Sequence, residues 1–74
     1  MDRPTWGDTI RINDDAPDDM RPGWRAAVCG MRELENDDQA KQFERAIGSR
    51  VLLVEFGDGH AIELPEDLVA IAND

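Results

Sequence analysis

Apolar and polar residues alternate along Thr9-Ile-Arg-Ile-Asn13, with β-branched residues at the apolar places, which predicts a half-buried strand with Ile10 and Ile12 inward. The next stretch, Asn13 to Gly23, holds two prolines, a glycine and four aspartates in eleven residues. Such a run predicts a loop closed by a turn at Pro22-Gly23. Trp24 to Leu34 then reads as a second strand, with Ala26 and Val28 on one face and Cys29 on the other. Val28 and Met31 both suit the core but lie an odd number of positions apart, so a bulge or bend at Gly30 is predicted to reconcile them.

From Glu35 to Gly48 the period changes. Asn36 is placed to cap a short helix whose first turn carries Asp37 and Asp38, the charge favoured at that end. Ala40, Phe43 and Ile47 form a narrow stripe at helical spacing, and Gly48 stands where a glycine stop belongs. The segment 36–47 is therefore expected to be a helical insert. Val51 to Leu64 reads as a β-hairpin, and the hydrophobic pattern selects its register. A two-residue loop at Asp58-Gly59 would mix apolar groups and carboxylates on both faces. A three-residue loop, Gly57-Asp58-Gly59, sets Phe56 opposite His60, Val54 opposite Ile62 and Leu52 opposite Leu64, and sends Glu55 and Glu63 outward. A type I turn followed by left-handed Gly59 makes such a connection. This register turns Val51 and Leu53 away from the main core, either beneath the helix or onto an exposed apolar strip. Pro65 to Val69 reads as a tight turn that returns Leu68 to the core before a last strand at Val69 to Ile71. The expected fold is mainly β, a small barrel of about five short strands with one short helical insert.

Seventy-four residues make one domain, 1–74, with residues 1–8 as an N-terminal extension. A single cysteine excludes a disulfide framework, and a lone thiol fits a reducing cytoplasm. The unbroken apolar runs, such as Val51 to Val54 and Leu68 to Ala72, are far short of a membrane span, and the N-terminus shows no secretory pattern. No membrane association is expected. Oligomerisation, such as homodimer formation, remains open as a source of extra stability.

The net charge of −9, from 17 acidic and 8 basic side chains, bears on partners. Phosphate backbones would be repelled, so direct nucleic-acid binding is disfavoured. A basic protein partner would be attracted, with salt weakening the association. Surplus carboxylates that only keep the domain soluble are the plainer reading.

No catalytic constellation stands out, and no cofactor is implied. His60 sits at the hairpin tip without a second histidine or cysteine, and Cys29 lacks a neighbouring base. The aspartate pairs lack the alternating spacing and distal glutamate of a calcium loop, and Gly57-Asp58-Gly59 lacks the lysine and helix of a phosphate loop. The chain is expected not to be an enzyme and to hold no metal. The residues expected to meet a partner are Asp14, Asp15, Asp18 and Asp19 of the proline-restrained loop, Asp37 and Asp38, and Trp24 beside the loop. Trp6 is expected to pack over an open end of the barrel.

The succession Thr9-Ile-Arg-Ile, Arg21-Pro-Gly-Trp-Arg-Ala-Ala-Val-Cys-Gly30, Ile47-Gly-Ser-Arg-Val-Leu-Leu-Val-Glu-Phe-Gly-Asp-Gly59 and Ile62-Glu-Leu-Pro-Glu-Asp-Leu68 resembles SH3-like barrels of the nitrile hydratase β-subunit type. It also looks like small bacterial immunity proteins that neutralise a toxin. The resemblance implies an SH3-like barrel over residues 8 to 71. That β-subunit type supplies no metal-ligand motif, so no catalytic role carries over, and the helical insert departs from the pattern. Three functions follow as expectations. The leading one is an immunity or inhibitor module that covers a basic partner surface with acidic loops. The others are an acidic DNA mimic that inhibits a nucleic-acid-binding defence complex, and an accessory subunit or assembly chaperone of an enzyme.

Overall fold

The computed structural model describes residues 3–72. Five strands, β1 (Thr9–Ile12), β2 (Arg25–Glu33), β3 (Arg50–Glu55), β4 (Ala61–Pro65) and β5 (Val69–Ile71), form one antiparallel sheet in the order β4-β3-β2-β1-β5. One helix, α1 (Asp37–Phe43), lies between β2 and β3, and 3-10 turns occupy Asp18–Met20 and Glu66–Leu68. The long β2 is shared between two halves of the sheet. Its start pairs with β1, and from Ala27 onward it pairs with β3. This order, with a bent shared strand and a 3-10 turn leading into β5, is that of a small SH3-like barrel.

The bend is the bulge the alternation required. Register shifts between Val28, opposite Val54, and Gly30, opposite Leu53. A Cβ at Gly30 would meet Leu53 Cβ at 3.5 Å, an ordinary contact, so the bulge has room for a small side chain there. The bulge does bring Met31 opposite buried Leu52, yet Met31 itself stays exposed, contrary to expectation. It lies toward the end of β2, where Arg50 Nη2 contacts its sulfur at 2.7 Å. Cys29, the bulged residue, is also exposed, with Sγ 3.5 Å from the Leu53 carbonyl oxygen.

The hairpin has the register that separates apolar from charged positions. Leu52 faces Leu64, Val54 faces Ile62, and Phe56 N–H donates to His60 O at 2.8 Å. Gly59 N–H donates to Phe56 O at 3.0 Å, and Gly59 has φ +90. That is a type I turn closed by a left-handed glycine. The main core consists of Ile10, Ile12, Ala16, Ala26, Val28, Leu52, Val54, Phe56 and Leu64, with Met20, Ile62, Leu68 and Val69 packed against it.

The expected stripe on the insert is shorter than its spacing suggested. Asn36 Oδ1 accepts from Gln39 N–H at 3.0 Å, and Gln39 Oε1 accepts from Glu35 N–H at 2.8 Å, so the start is capped on both sides. The helix ends at Phe43, one turn before Gly48. Glu44 takes the left-handed position, with φ 55, its N–H toward Lys41 O and that of Arg45 on Ala40 O. These are the two reversed bonds of a Schellman ending, made here by glutamate instead of glycine. Ile47 is left exposed, and Gly48 serves the turn into β3 with φ +92. Arg32, paired across the strand with Val51, has its guanidinium 5.8 Å from the Phe43 ring, which brings the helix to that face. Val51 is fully buried there while Leu53 remains 36% exposed, so the two apolar residues turned from the core differ.

The segment 3–8 is tied to the barrel. Arg3 Nε and Nη2 both donate to Glu66 Oε1, at 2.9 and 2.8 Å. Arg50 Nη2 donates to Pro4 O at 3.0 Å, and Gly7 N–H donates to Val28 O at 2.9 Å. Arg50 Nη1 also lies 2.8 Å from Glu66 Oε2, an ion contact outside hydrogen-bond alignment. Trp6 does not cap the barrel. It is 72% exposed, its indole N–H donating to Cys29 O at 3.1 Å.

Candidate protein-binding surface

Most of the basic side chains are committed to carboxylates. Arg11 meets Asp14 at 2.8 Å, Arg21 meets Asp58 at 2.9 Å, and Arg3 and Arg50 share Glu66. Arg32 forms a two-pronged pair with Glu63, at 2.8 and 3.3 Å. Arg45 does the same with Asp67, at 2.8 and 3.0 Å, and caps Glu44 O at 3.0 Å. The hydrogen bonds that Arg32 and Arg45 donate to Glu63 and Asp67 hold the two guanidiniums above their ordinary pKa. Against that pairing, Asp15, Asp18, Asp19, Asp37 and Asp38 enter no ion pair among the described residues. All five are exposed. Glu33, Glu35, Glu44 and Glu55 are exposed and outside these pairs too, so what distinguishes Asp15, Asp18 and Asp19 is that three such carboxylates fall within one short loop.

The loop and the helix end frame a groove of about 270 Å³. Apolar Met20, Phe43 and Leu68 line it together with Asp15, Glu44 and Arg45. Because Arg45 is neutralised by Asp67, Asp15 and Glu44 set the sign of this groove. Local backbone chemistry puts them there. Ala16 is buried in the core and its N–H donates to Asn13 O at 3.1 Å, which anchors the loop beneath Asp15. The 3-10 turn at Asp18–Met20 drops Met20 against the core and leaves Asp18 and Asp19 in solvent. An apolar lining under an acidic rim can take a partner segment that mixes basic and apolar side chains.

The residues singled out from the sequence do not all converge. Asp15 lines the groove, with Asp18 and Asp19 on the same loop. Asp14 instead turns to Arg11, beside Gly23. Asp37 and Asp38 occupy the first turn of α1, roughly 8–9 Å along the helix from Phe43 at 1.5 Å per residue. Trp24 belongs to a separate cluster at the hairpin tip. It is 50% exposed and meets Phe56 edge to face, with ring centroids 5.7 Å apart. Its neighbour is not an acidic surface but a cation, since the Arg21 guanidinium lies 4.6 Å from both ring centroids. Phe43, Met20 and Leu68 were legible as apolar positions, but nothing in their spacing marks the groove between them.

Asp58 completes the tip cluster. Its Oδ1 accepts from His60 N–H at 3.1 Å and its Oδ2 from Arg21 Nη1 at 2.9 Å. The backbone bond from His60, then the Arg21 guanidinium, hold its carboxyl down at about 2. His60 itself is largely exposed, with Nδ1 3.2 Å from Asp58 Oδ1. Among the described residues no three histidine, cysteine, aspartate or glutamate side chains are grouped to hold a metal ion. No helix among them is long and apolar enough to cross a membrane.

The fold class is that of a five-stranded SH3-like barrel bearing one short helix. Beyond that class, no family model, no curated protein and no solved structure matches the chain.

Proposed function

We propose that this chain is a non-catalytic protein-binding module of the immunity or inhibitor kind, which covers a basic partner surface with its acidic loops. The observation that carries the reading is an acidic loop beside an apolar groove. Most arginines are spent on other carboxylates, while Asp15, Asp18 and Asp19 enter no ion pair among the described residues and their loop borders a groove with an apolar lining. Desolvating such a lining supplies affinity, and the unpaired carboxylates supply attraction and orientation. The same surface disfavours nucleic acid as a direct ligand. The test is capture from host lysate by the intact chain and by the Asp15→Asn, Asp18→Asn, Asp19→Asn triple variant. A basic protein held by the first and released by the second supports the reading. A partner held equally by both argues against it.

The accessory-subunit reading draws on a different observation. Trp6, Met31 and Leu53 are exposed, and Trp6 is tied to Cys29, whose Sγ contacts the Leu53 carbonyl. Exposed apolar side chains of that kind suit a stable subunit contact, with Leu53 and Trp6 linked through Cys29 as its centre. A partner lost on Leu53→Asp and insensitive to salt would favour it.

A further inference from the structure

The hairpin-tip cluster has the composition of a receptor for a guanidinium group. Two aromatic rings at nearly a right angle, Trp24 and Phe56, each present a ring centroid 4.6 Å from the Arg21 Cζ. A carboxylate, Asp58, closes the recess at 2.9 Å. Stacking faces plus a carboxylate acceptor select a planar, weakly hydrated guanidinium over an ammonium. We propose that this recess is an arginine-recognition site, filled by Arg21 in the free protein and by an arginine of the basic partner in the complex.

Two features make Arg21 a replaceable occupant rather than a fixed strut. Letting one guanidinium replace another would keep the stacking and the ion pair, while the Arg21 backbone stays held by its own hydrogen bonds to Asp18 O and from Trp24 N–H. The acceptor does not depend on Arg21 for its orientation, because the other oxygen of Asp58 is held by His60 N–H. Trp24 is half exposed, so an incoming side chain has a ring edge to approach along. The identity of the occupant rests on the basic-partner reading above, whereas the existence of the site does not.

The test needs no partner. Arg21→Gly empties the recess with a residue suited to the left-handed backbone, and Trp6→Phe leaves Trp24 as the sole indole reporter. The probe is N-acetylarginine amide, with N-acetyllysine amide at equal ionic strength as the comparison. A saturable change in Trp24 fluorescence is expected, with arginine preferred about tenfold, and that preference should vanish on Asp58→Asn. No saturable change, equal response to both probes, or a preference that survives Asp58→Asn overturns the proposal. Should Arg21→Gly fail to fold by far-UV circular dichroism, the wild-type chain decides. There the arginine probe should move the Arg21 Nε–H resonance away from its ring-shifted position, and a resonance that stays in place overturns the proposal. Failure here leaves the acidic-loop reading standing, since the Asp15, Asp18 and Asp19 substitutions test that separately.

Discussion

Arg21 and Glu44 are the two non-glycine residues with left-handed backbone among those described, and they strain the chain for different ends. Arg21 is compensated by two aromatic rings and a carboxylate. Glu44 has no such compensation, and its negative charge sits at a helix C-terminus, the end that favours cations. Glu44→Gly is therefore expected to raise stability by about 1 kcal/mol in urea unfolding, and a loss of stability would contradict this account of the helix end. Gly59 is the converse case. Its φ of +90 is strained for any side chain, although nothing lies within 4 Å of a Cβ built there. Gly59→Ala should cost about 1–2 kcal/mol from backbone conformation alone, and an unchanged urea midpoint would refute the turn assignment. Asp58 links the tip to pH. Its folded pKa, about 2, lies below the ordinary carboxyl value of roughly 3.9. Its contribution is then full above the ordinary value and lost as pH falls through about 2. The stability difference between wild type and Asp58→Asn should shrink across that window, and a difference independent of pH would contradict it. Added salt should diminish the effect, since the pair is partly exposed.

At the scale of elements, sequence pattern was most informative where one rule acted alone. The hairpin register follows from sorting Leu52, Val54, Leu64 and Ile62 onto one face, and the β2 bulge follows from the spacing of Val28 and Met31. The capped start of α1 follows from Asn36, and Asn36→Ala should lower stability by about 1 kcal/mol, as read by thermal unfolding. The end of that helix was not legible, because a glutamate performs the role that Gly48 advertises. The exposure of Met31 and Trp6 was not legible either. Both depend on where β1 parts from β2, a consequence of tertiary curvature that alternation along one strand does not carry. For the surface, the acidic loop was recognisable from Asp14 to Asp19, but composition could not separate paired Asp14 from unpaired Asp15. Nor could it foresee that Trp24 would sit on Arg21 rather than beside the carboxylates, since that contact closes through the distant hairpin tip.

On the scale of the whole molecule, a charge of −9 spread evenly would speak only to solubility. The distribution differs from that. Ion pairs bind the N-terminal segment, the insert and the last turn to the barrel, through Arg3, Arg45 and Arg50 with Glu66 and Asp67. Among the described residues, carboxylates that enter no ion pair include Glu33, Glu35, Glu44 and Glu55 as well as Asp37 and Asp38 of α1, but Asp15, Asp18 and Asp19 are the group within one loop with an apolar groove alongside. The measurement that tests the proposed role most directly is the dissociation constant of the captured partner across a range of ionic strength. Binding that weakens steadily as salt rises is the result expected for acidic loops meeting a basic surface. An affinity that holds constant from low to high salt would contradict the electrostatic account and point instead to the exposed Trp6, Met31 and Leu53 as the contact.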